Sequence, residues 1–237
     1  MRTLTLVVHG ESGVGKSYLA DTAPGPRLIF DAEGGSRWTP SRKVLWDPKN
    51  PIPELGPEDT AVVTVLNLES LQRAFQWLVA GKHPFRSVIL DSLTEVQNRT
   101  INAVSGQAAP QRNDWGAILI KVDNLVRAFR DLTMNEIKPV EVVIFICGSR
   151  ERGSQDHATV RPMLQGQMAE KLPYSVDVMA YMSVAMGANG DLERKALFAN
   201  LDGINAKDRT GKLGVSMEAP SIPKILDLAY GPQKEEG

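Results

Sequence analysis

The sequence predicts an α/β fold: a mostly parallel central sheet flanked by helices, with an antiparallel extension at one edge. Three observations carry this. Apolar, strand-length runs alternate with segments of helical period through residue 147, the pattern of strands covered by helices on both faces. Gly10-Glu11-Ser12-Gly13-Val14-Gly15-Lys16-Ser17 fits the phosphate-loop pattern G-x-x-x-x-G-K-[ST], between a strand-like and a helix-like segment. Two further apolar runs end in acidic residues, at Asp31 to Glu33 and at Asp91, where ligands of open α/β sheets bind.

Composition bounds the reading. The chain has 237 residues, enough for a large core. With 42% hydrophobic and 23% charged residues it is neither a disordered chain nor a membrane-spanning one. A net charge of −1 does not announce a nucleic-acid partner, which would need a local basic surface. Cys147 is the only cysteine, so there is no disulfide framework, and the three histidines lack metal-ligand spacing. No signal peptide or transmembrane run is visible, so a cytoplasmic protein without a membrane partner is expected. We expect one domain over residues 1–231 and a charged, disordered tail over 232–237.

The elements follow in order. Leu4 to Val8 is a buried strand, and Tyr18 to Asp21 begin a helix stopped by Pro24. Arg27 to Phe30 is a strand with a polar tip. Five prolines, Pro40 to Pro57, make residues 36–60 mostly loop. Ala61 to Leu66 is a strand. Asn67 or Glu69 opens a helix with Leu71, Phe75, Leu78 and Val79 on one face, ended by Gly81. Ser87 to Asp91 is the next strand and residues 94–104 a helix. Residues 105–114 form a mobile loop, and Asp114 caps a long helix whose buried stripe is Ile118, Val122, Leu125, Phe129 and Leu132. Val140 to Cys147 is the most apolar strand. Gly148 to Gln165, with Arg150, Arg152, His157 and Arg161, is expected as a second long loop, followed by a short helix over 166–171 stopped by Pro173. Val176 to Ala185 and Arg194 to Ala199 form a hairpin through Gly187 to Gly190.

The chemistry follows from the motifs. Backbone N–H groups of residues Gly10 to Ser17 would cradle phosphates, with Lys16 reaching the β- and γ-phosphates, Ser17 on Mg²⁺ and Tyr18 just beyond. Asp91, at the end of a buried strand, would hold the Mg²⁺ hydration shell opposite Ser17; the plainer alternative is an aspartate capping the next helix, a task Ser92 can share. Glu33 is placed to orient a water at the γ-phosphate, against the alternative of a solvated loop carboxylate; Asp31 more naturally braces the loop. Lys207 and Arg209, one residue apart on an extended segment, point the same way and suit a phosphate clamp offered to a neighbouring subunit; an ordinary charged turn is the rival. Arg112, Arg150, Arg152 and Arg161 lie in the two loops and suit phosphate-backbone contacts. Trp115 could stack on a base, but packing at its helix start is the simpler role.

The order of these motifs resembles the RecA-like ATPase core. Ile29-Phe30-Asp31-Ala32-Glu33 is similar to the RecA segment whose glutamate activates water, and Val88-Ile89-Leu90-Asp91-Ser92 resembles the Walker B strand. Val143 to Ile146 looks like the strand before the second DNA-binding loop, and Lys207-Asp208-Arg209 resembles the Lys-x-Arg finger of DnaB-type helicases. More narrowly, the chain resembles phage-encoded RecA-like ATPases of recombination and single-strand annealing, through Asn113-Asp114-Trp115-Gly116, the helix after it and the stretch from Arg161 to Gly166.

The resemblance implies an ATPase using ATP and Mg²⁺ in a bacterial host cell. Its partners would be single-stranded DNA, further copies of itself with the ATP site at the subunit interface, and a single-strand DNA-binding protein. Two departures stand out. Cys147-Gly148-Ser149 replaces the glutamine that senses the γ-phosphate in RecA, which leaves Ser149 or Arg150 to couple ATP to DNA. The first strand starts near Met1, so a RecA-type N-terminal oligomerisation segment is not expected. Two other functions fit the same loop: a small-molecule kinase, which needs an acceptor pocket and an arginine-bearing lid, and a nucleotide-switch scaffold in phage DNA replication or packaging.

Overall fold

Seven parallel strands form the centre of the sheet, and their order places every predicted acid at one edge. The computed structural model describes residues 2–106, 108–153, 158–187 and 189–232. The parallel strands are β1 (Leu4–Gly10), β2 (Arg27–Asp31), β3 (Lys43–Leu45), β4 (Thr60–Thr64), β5 (Ser87–Asp91), β6 (Val142–Arg152) and β8 (Val178–Met186). They lie in the order β8-β1-β6-β5-β2-β4-β3. Beyond β8, β9 (Leu192–Leu197) and β11 (Ser216–Glu218) add antiparallel strands, while β10 (Lys207–Asp208) also pairs antiparallel with β8. This is the predicted architecture, antiparallel edge included. The last residues of the expected tail, 233–237, lie outside the described part of the chain, as does His157.

Alternation along the strands builds two cores, because successive side chains point to opposite faces. Val7, Phe30, Leu90 and Phe145 face one layer, formed by α2 (Leu68–Val79), α3 (Leu93–Ser105), α4 (Arg112–Asp131) and α5 (Met168–Ser175). Leu6, Val8, Ile29, Ile89 and Ile144 face the other, formed by α1 (Lys16–Asp21) and α6 (Ile222–Tyr230). Helices therefore cover both faces, and the central strands read as continuous apolar runs.

Several local details differ from the sequence reading, each for an identifiable reason. The proline-rich stretch contains a short strand, β3, and a 3₁₀ turn at Ser36–Trp38. Buried Asp21 holds Ser41 and Lys43 there, accepting from the Ser41 N–H at 2.9 Å and its hydroxyl at 2.6 Å. Asn67 caps α2, accepting from the Glu69 and Ser70 N–H groups, but Val79 at its end is exposed and Ala74 takes the buried position. Helix α4 begins at Arg112, two residues before the expected cap. Asp114 is its third residue, and its carboxylate accepts from the Gln111 N–H at 2.8 Å. Its stripe is Ile118, Val122, Val126 and Phe129, with Leu125 only partly buried.

Pro173 does not end α5 but lies inside it. Near the C-terminal end of so short a helix the missing N–H costs one hydrogen bond. The largest difference is in the stretch expected as a second long loop. Strand β6 continues through Arg152 and pairs antiparallel with β7 (Thr159–Pro162), with Ser149 opposite Pro162 and Arg152 opposite Thr159. Since Gly148 of β6 is level with Gly10 of β1, this ribbon extends beyond the edge where the phosphate loop begins.

Phe129 anchors the larger layer, meeting Phe30 edge to face at 5.3 Å between ring centres and Phe75 at 5.0 Å. Such pairs add to the burial of two large rings. Phe129→Ala is expected to cost about 3–5 kcal/mol in urea unfolding. Ile120→Ala, on the exposed face of the same helix, should change stability by less than about 0.5 kcal/mol.

Candidate nucleotide site

The turn from β1 to α1 begins where only a glycine fits. A side chain at residue 10 would place its Cβ 2.5 Å from the Met182 carbonyl oxygen, so the close β1–β8 pairing requires Gly10. Gly15 has φ 95°, a left-handed conformation glycine adopts readily. Helix α1 has six residues, so loop amides more than a long helix dipole would bind an anion here. Lys16 folds back over the loop, its Nζ donating to the carbonyls of Gly10 at 2.9 Å and Glu11 at 2.7 Å. Burial lowers its pKa, against the opposing charges of Asp91 and Glu33.

The strand register brings the acids to this turn. Asp31 and Asp91 are direct partners across β2 and β5, and Asp91 is level with Ile146 of β6. The Ser17 hydroxyl donates to Asp91 Oδ2 at 2.7 Å. Burial raises the Asp91 pKa to about 6; Glu33 and Asp31 add to the rise, while the Ser17 hydrogen bond and Lys16 oppose it.

Ser92, and not Asp91, caps α3: its Oγ accepts from the Glu95 N–H at 3.1 Å. The same hydroxyl donates to Glu33 Oε1. Asp31 braces the loop, as expected. Its Oδ1 accepts from the Gly34 N–H at 2.6 Å, and its Oδ2 from the Ser36 hydroxyl at 2.5 Å. Lys16, Ser17, Glu33 and Asp91 thus stand together.

This edge suits a hydrated divalent cation bridged to phosphate. Ser17 and Asp91 supply two hard oxygen donors, the kind Mg²⁺ takes while keeping phosphate oxygens and water for its remaining positions. Among the described residues no group of three His, Cys, Asp or Glu side chains could enclose a metal alone.

With this geometry in place, the sequence matches the AAA domain family over residues 2–210. The chain belongs to that family. It carries an AAA-type phosphate loop, and its mostly parallel sheet with an antiparallel edge matches the fold of RecA-like ATPases. A prototypical ATPase from the type III secretion system of pathogenic bacteria superposes with TM-score 0.50 at 13% identity, covering 88% of this chain and 58% of that one. The flagellar accessory protein FlaH from Methanocaldococcus jannaschii gives TM-score 0.37 at 12% identity, covering 82% and 76% respectively. At 13% identity the likeness to the secretion ATPase is one of fold. None of the curated proteins matches the sequence.

The other sequence-predicted residues lie away from this AAA domain's phosphate loop. Lys207 pairs with Met179, which is level with Val7, three residues before Gly10 along the sheet. Its Nζ donates to the carbonyls of Pro173 at 2.6 Å and Val176 at 2.8 Å. Arg209 is exposed and pairs with Asp177 at 3.0 Å. Neither touches its own chain's site. Arg150, Arg152 and Arg161 lie on the β6–β7 ribbon and Arg112 on the first residue of α4. Trp115 packs against the core, its simpler role.

Sequence reasoning passed over two residues. His9 precedes Gly10 and is fully buried. Burial lowers its pKa to about 4, so the ring is neutral. Its Nε2–H donates to the Asn205 carbonyl at 2.7 Å, which leaves Nδ1 to accept from the Ser149 hydroxyl at 2.8 Å. A lone histidine in an apolar strand carries no motif; only the pairing of β1 with β6 reveals its role. Arg194, on β9, lies with its guanidinium 5.8 Å from the centre of the Tyr18 ring, and no spacing ties it to the loop 180 residues earlier in the chain.

The His9 environment has a measurable consequence. A folded-state pKa of about 4 against 6.5 means that His9 adds stability above pH 6.5, lost as the pH falls toward 4. Asp91, raised to about 6, acts oppositely and gains stability over much of that range. Comparison of wild type with His9→Gln cancels the Asp91 part. The destabilisation caused by His9→Gln should shrink by about 2 kcal/mol between pH 7 and pH 4.5 in urea titrations.

Proposed function

We propose that this chain hydrolyses ATP, binds single-stranded DNA and assists phage DNA recombination or annealing. The observation that carries the hydrolysis is the joining of Glu33 to the Ser17–Asp91 pair through Ser92. Glu33 is exposed at the tip of β2, yet the Ser92 hydroxyl holds its carboxylate beside the phosphate loop. A carboxylate so held orients a water for in-line attack on the γ-phosphate. The water oxygen forms a bond to phosphorus, the bond to the β–γ bridging oxygen breaks, and ADP leaves with that oxygen. Lys16 and the loop amides stabilise the charge that develops. Ser17 and Asp91 would hold Mg²⁺, which would supply further charge neutralisation at the phosphates.

Support for a DNA partner is the arrangement of the β6–β7 ribbon. Arg150 and Arg161 are directly opposite across the two strands, with Arg152 two residues further out. Like charges in that position repel, and a polyanion would relieve the repulsion. Burial, then the charges of Arg152 and Arg161, lower the Arg150 pKa. This strand also carries Ser149, bonded to His9 beside the phosphate loop, so the ribbon and the loop share one packed unit. Ser149 thereby takes the coupling duty that a glutamine performs in RecA.

Lys207 lies about 10 Å along the sheet from the turn of its own chain, by the rise per strand residue, and Arg209 lies further away. The reading that suits them is insertion into a neighbour's site in a homo-oligomer.

Glu33→Gln should bind ATP as wild type does and turn over about 10²–10⁴-fold more slowly. Normal turnover in that variant would remove Glu33 from its role. Phosphate release should rise with single-stranded DNA, and this stimulation should be lost in Arg150→Ala/Arg161→Ala. Tight ATP binding with no hydrolysis, even with DNA, would replace this function by that of a nucleotide switch. Lys16→Ala and Arg209→Ala should each be inactive alone and regain activity when mixed, because mixed interfaces contain one intact site; no recovery on mixing would place the finger outside the reaction.

A further inference from the structure

A cavity of about 500 Å³ lies immediately beside the phosphate loop, within the size range of small-ligand sites, roughly 300–1,000 Å³. Its lining includes Tyr18 and Leu19 of α1, Leu192 and Arg194 of β9, and Glu218 and Pro220. A Cβ added at residue 15 would stand 2.5 Å from Arg194 Nε, so the side chain lies directly on the Gly15 backbone. Among the described residues no carboxylate pairs with Arg194 within 4.0 Å, although Glu193 and Glu218 belong to the same cavity.

The walls are tied together. The Ala219 N–H donates to the Arg194 carbonyl at 2.9 Å, and Lys224 Nζ to the Ala219 carbonyl at 2.9 Å. Ala219 has φ 44°, a left-handed conformation that costs a residue with a side chain energy and that clusters at ligand sites. The Ile222 N–H donates to Thr22 Oγ1 at 2.8 Å, which docks the start of α6 on the end of α1.

An aromatic face, a flat cation and an apolar floor open next to a loop built for phosphates. We propose that this cavity takes the base and sugar of the bound nucleotide, with the base stacked on Tyr18 and covered by the Arg194 guanidinium. Stacking on an aromatic ring and a guanidinium plane is how proteins hold the π-face of a base. A base between them needs about 7 Å, two van der Waals separations of about 3.5 Å. The present 5.8 Å requires an outward shift of about 1 Å, small for a long, exposed side chain. Glu218, also in the lining, brings a carboxylate able to accept from an amino group of the base.

The proposal rests on the phosphate loop as the triphosphate site, so its test separates the two. Binding of ATP and of inorganic tripolyphosphate, each with Mg²⁺, is measured by calorimetry on the full chain. Tyr18→Ala and Arg194→Ala should each weaken ATP about tenfold and leave tripolyphosphate within about twofold, the loss expected for one base-stacking contact. Tyr18→Phe should retain ATP affinity, and Arg194→Lys, which keeps the charge and loses the plane, should lose most of it. Equal weakening of both ligands in Arg194→Ala would make Arg194 a phosphate contact and overturn the proposal. Unchanged ATP affinity in both alanine variants would also overturn it. Lys16→Ala should weaken both ligands strongly; retention of both would instead dismiss the phosphate loop itself.

Discussion

The pairing of Asp31 with Asp91 across β2 and β5 is the constraint that the site depends on. Parallel register sets two carboxylates side by side at a buried edge. Like charges directly opposite on a sheet repel, and burial penalises each of them. The surroundings divide the labour. Asp31 is satisfied by N–H groups and the hydroxyl of its own loop, and it shapes the turn that presents Glu33. Asp91 receives the Ser17 hydroxyl and lies near the Lys16 ammonium, the relation needed for metal and phosphate. One acid organises backbone, and the other is bonded to the hydroxyl of the phosphate loop.

The second constraint is the course of β6. A strand that stopped at Cys147 would have left the arginines on a loop unconnected to the chemistry. Because it continues as a paired ribbon, Arg150, Arg152 and Arg161 sit on backbone that is continuous with the strand beside the phosphate loop. His9 fixes that connection with two hydrogen bonds, one to Ser149 and one to the segment leading to Lys207. A buried ring bonded at both nitrogens transmits displacement better than an apolar contact, since either bond broken leaves an unsatisfied polar group.

Features written as local spacing were legible in the sequence. The phosphate loop, the acidic strand tips at Asp31 to Glu33 and Asp91, the alternation of strands with helices and the late hairpin are contiguous patterns, and the fold agrees with them. The β6–β7 ribbon was not, because its arginines and the polar residues around them lack a period-two apolar signal; pairing with β7 decides it. Pro173 reads as a stop signal, but tertiary packing overrides a single breaker near a helix end. The same limit hid Arg194 and His9, which join segments 176 and 140 residues away and act through positions that only the sheet order defines.

That sheet order also bears on Lys207 and Arg209. β10 pairs with the beginning of β8, whereas the phosphate loop follows the end of β1, so rotation of the two side chains cannot bring them to their own site. Within the chain they bind Pro173, Tyr174, Val176 and Asp177 at the end of α5. These are carbonyl contacts and a half-exposed ion pair, which contribute little to stability and are readily exchanged for phosphate oxygens. A cation pair held this loosely, away from the chemistry of its own subunit, is suited to act on another. Arg194 differs in this respect. It lies on its own chain's loop at Gly15, so the nucleotide contact proposed for it needs no neighbour, whereas the finger role proposed for Arg209 does.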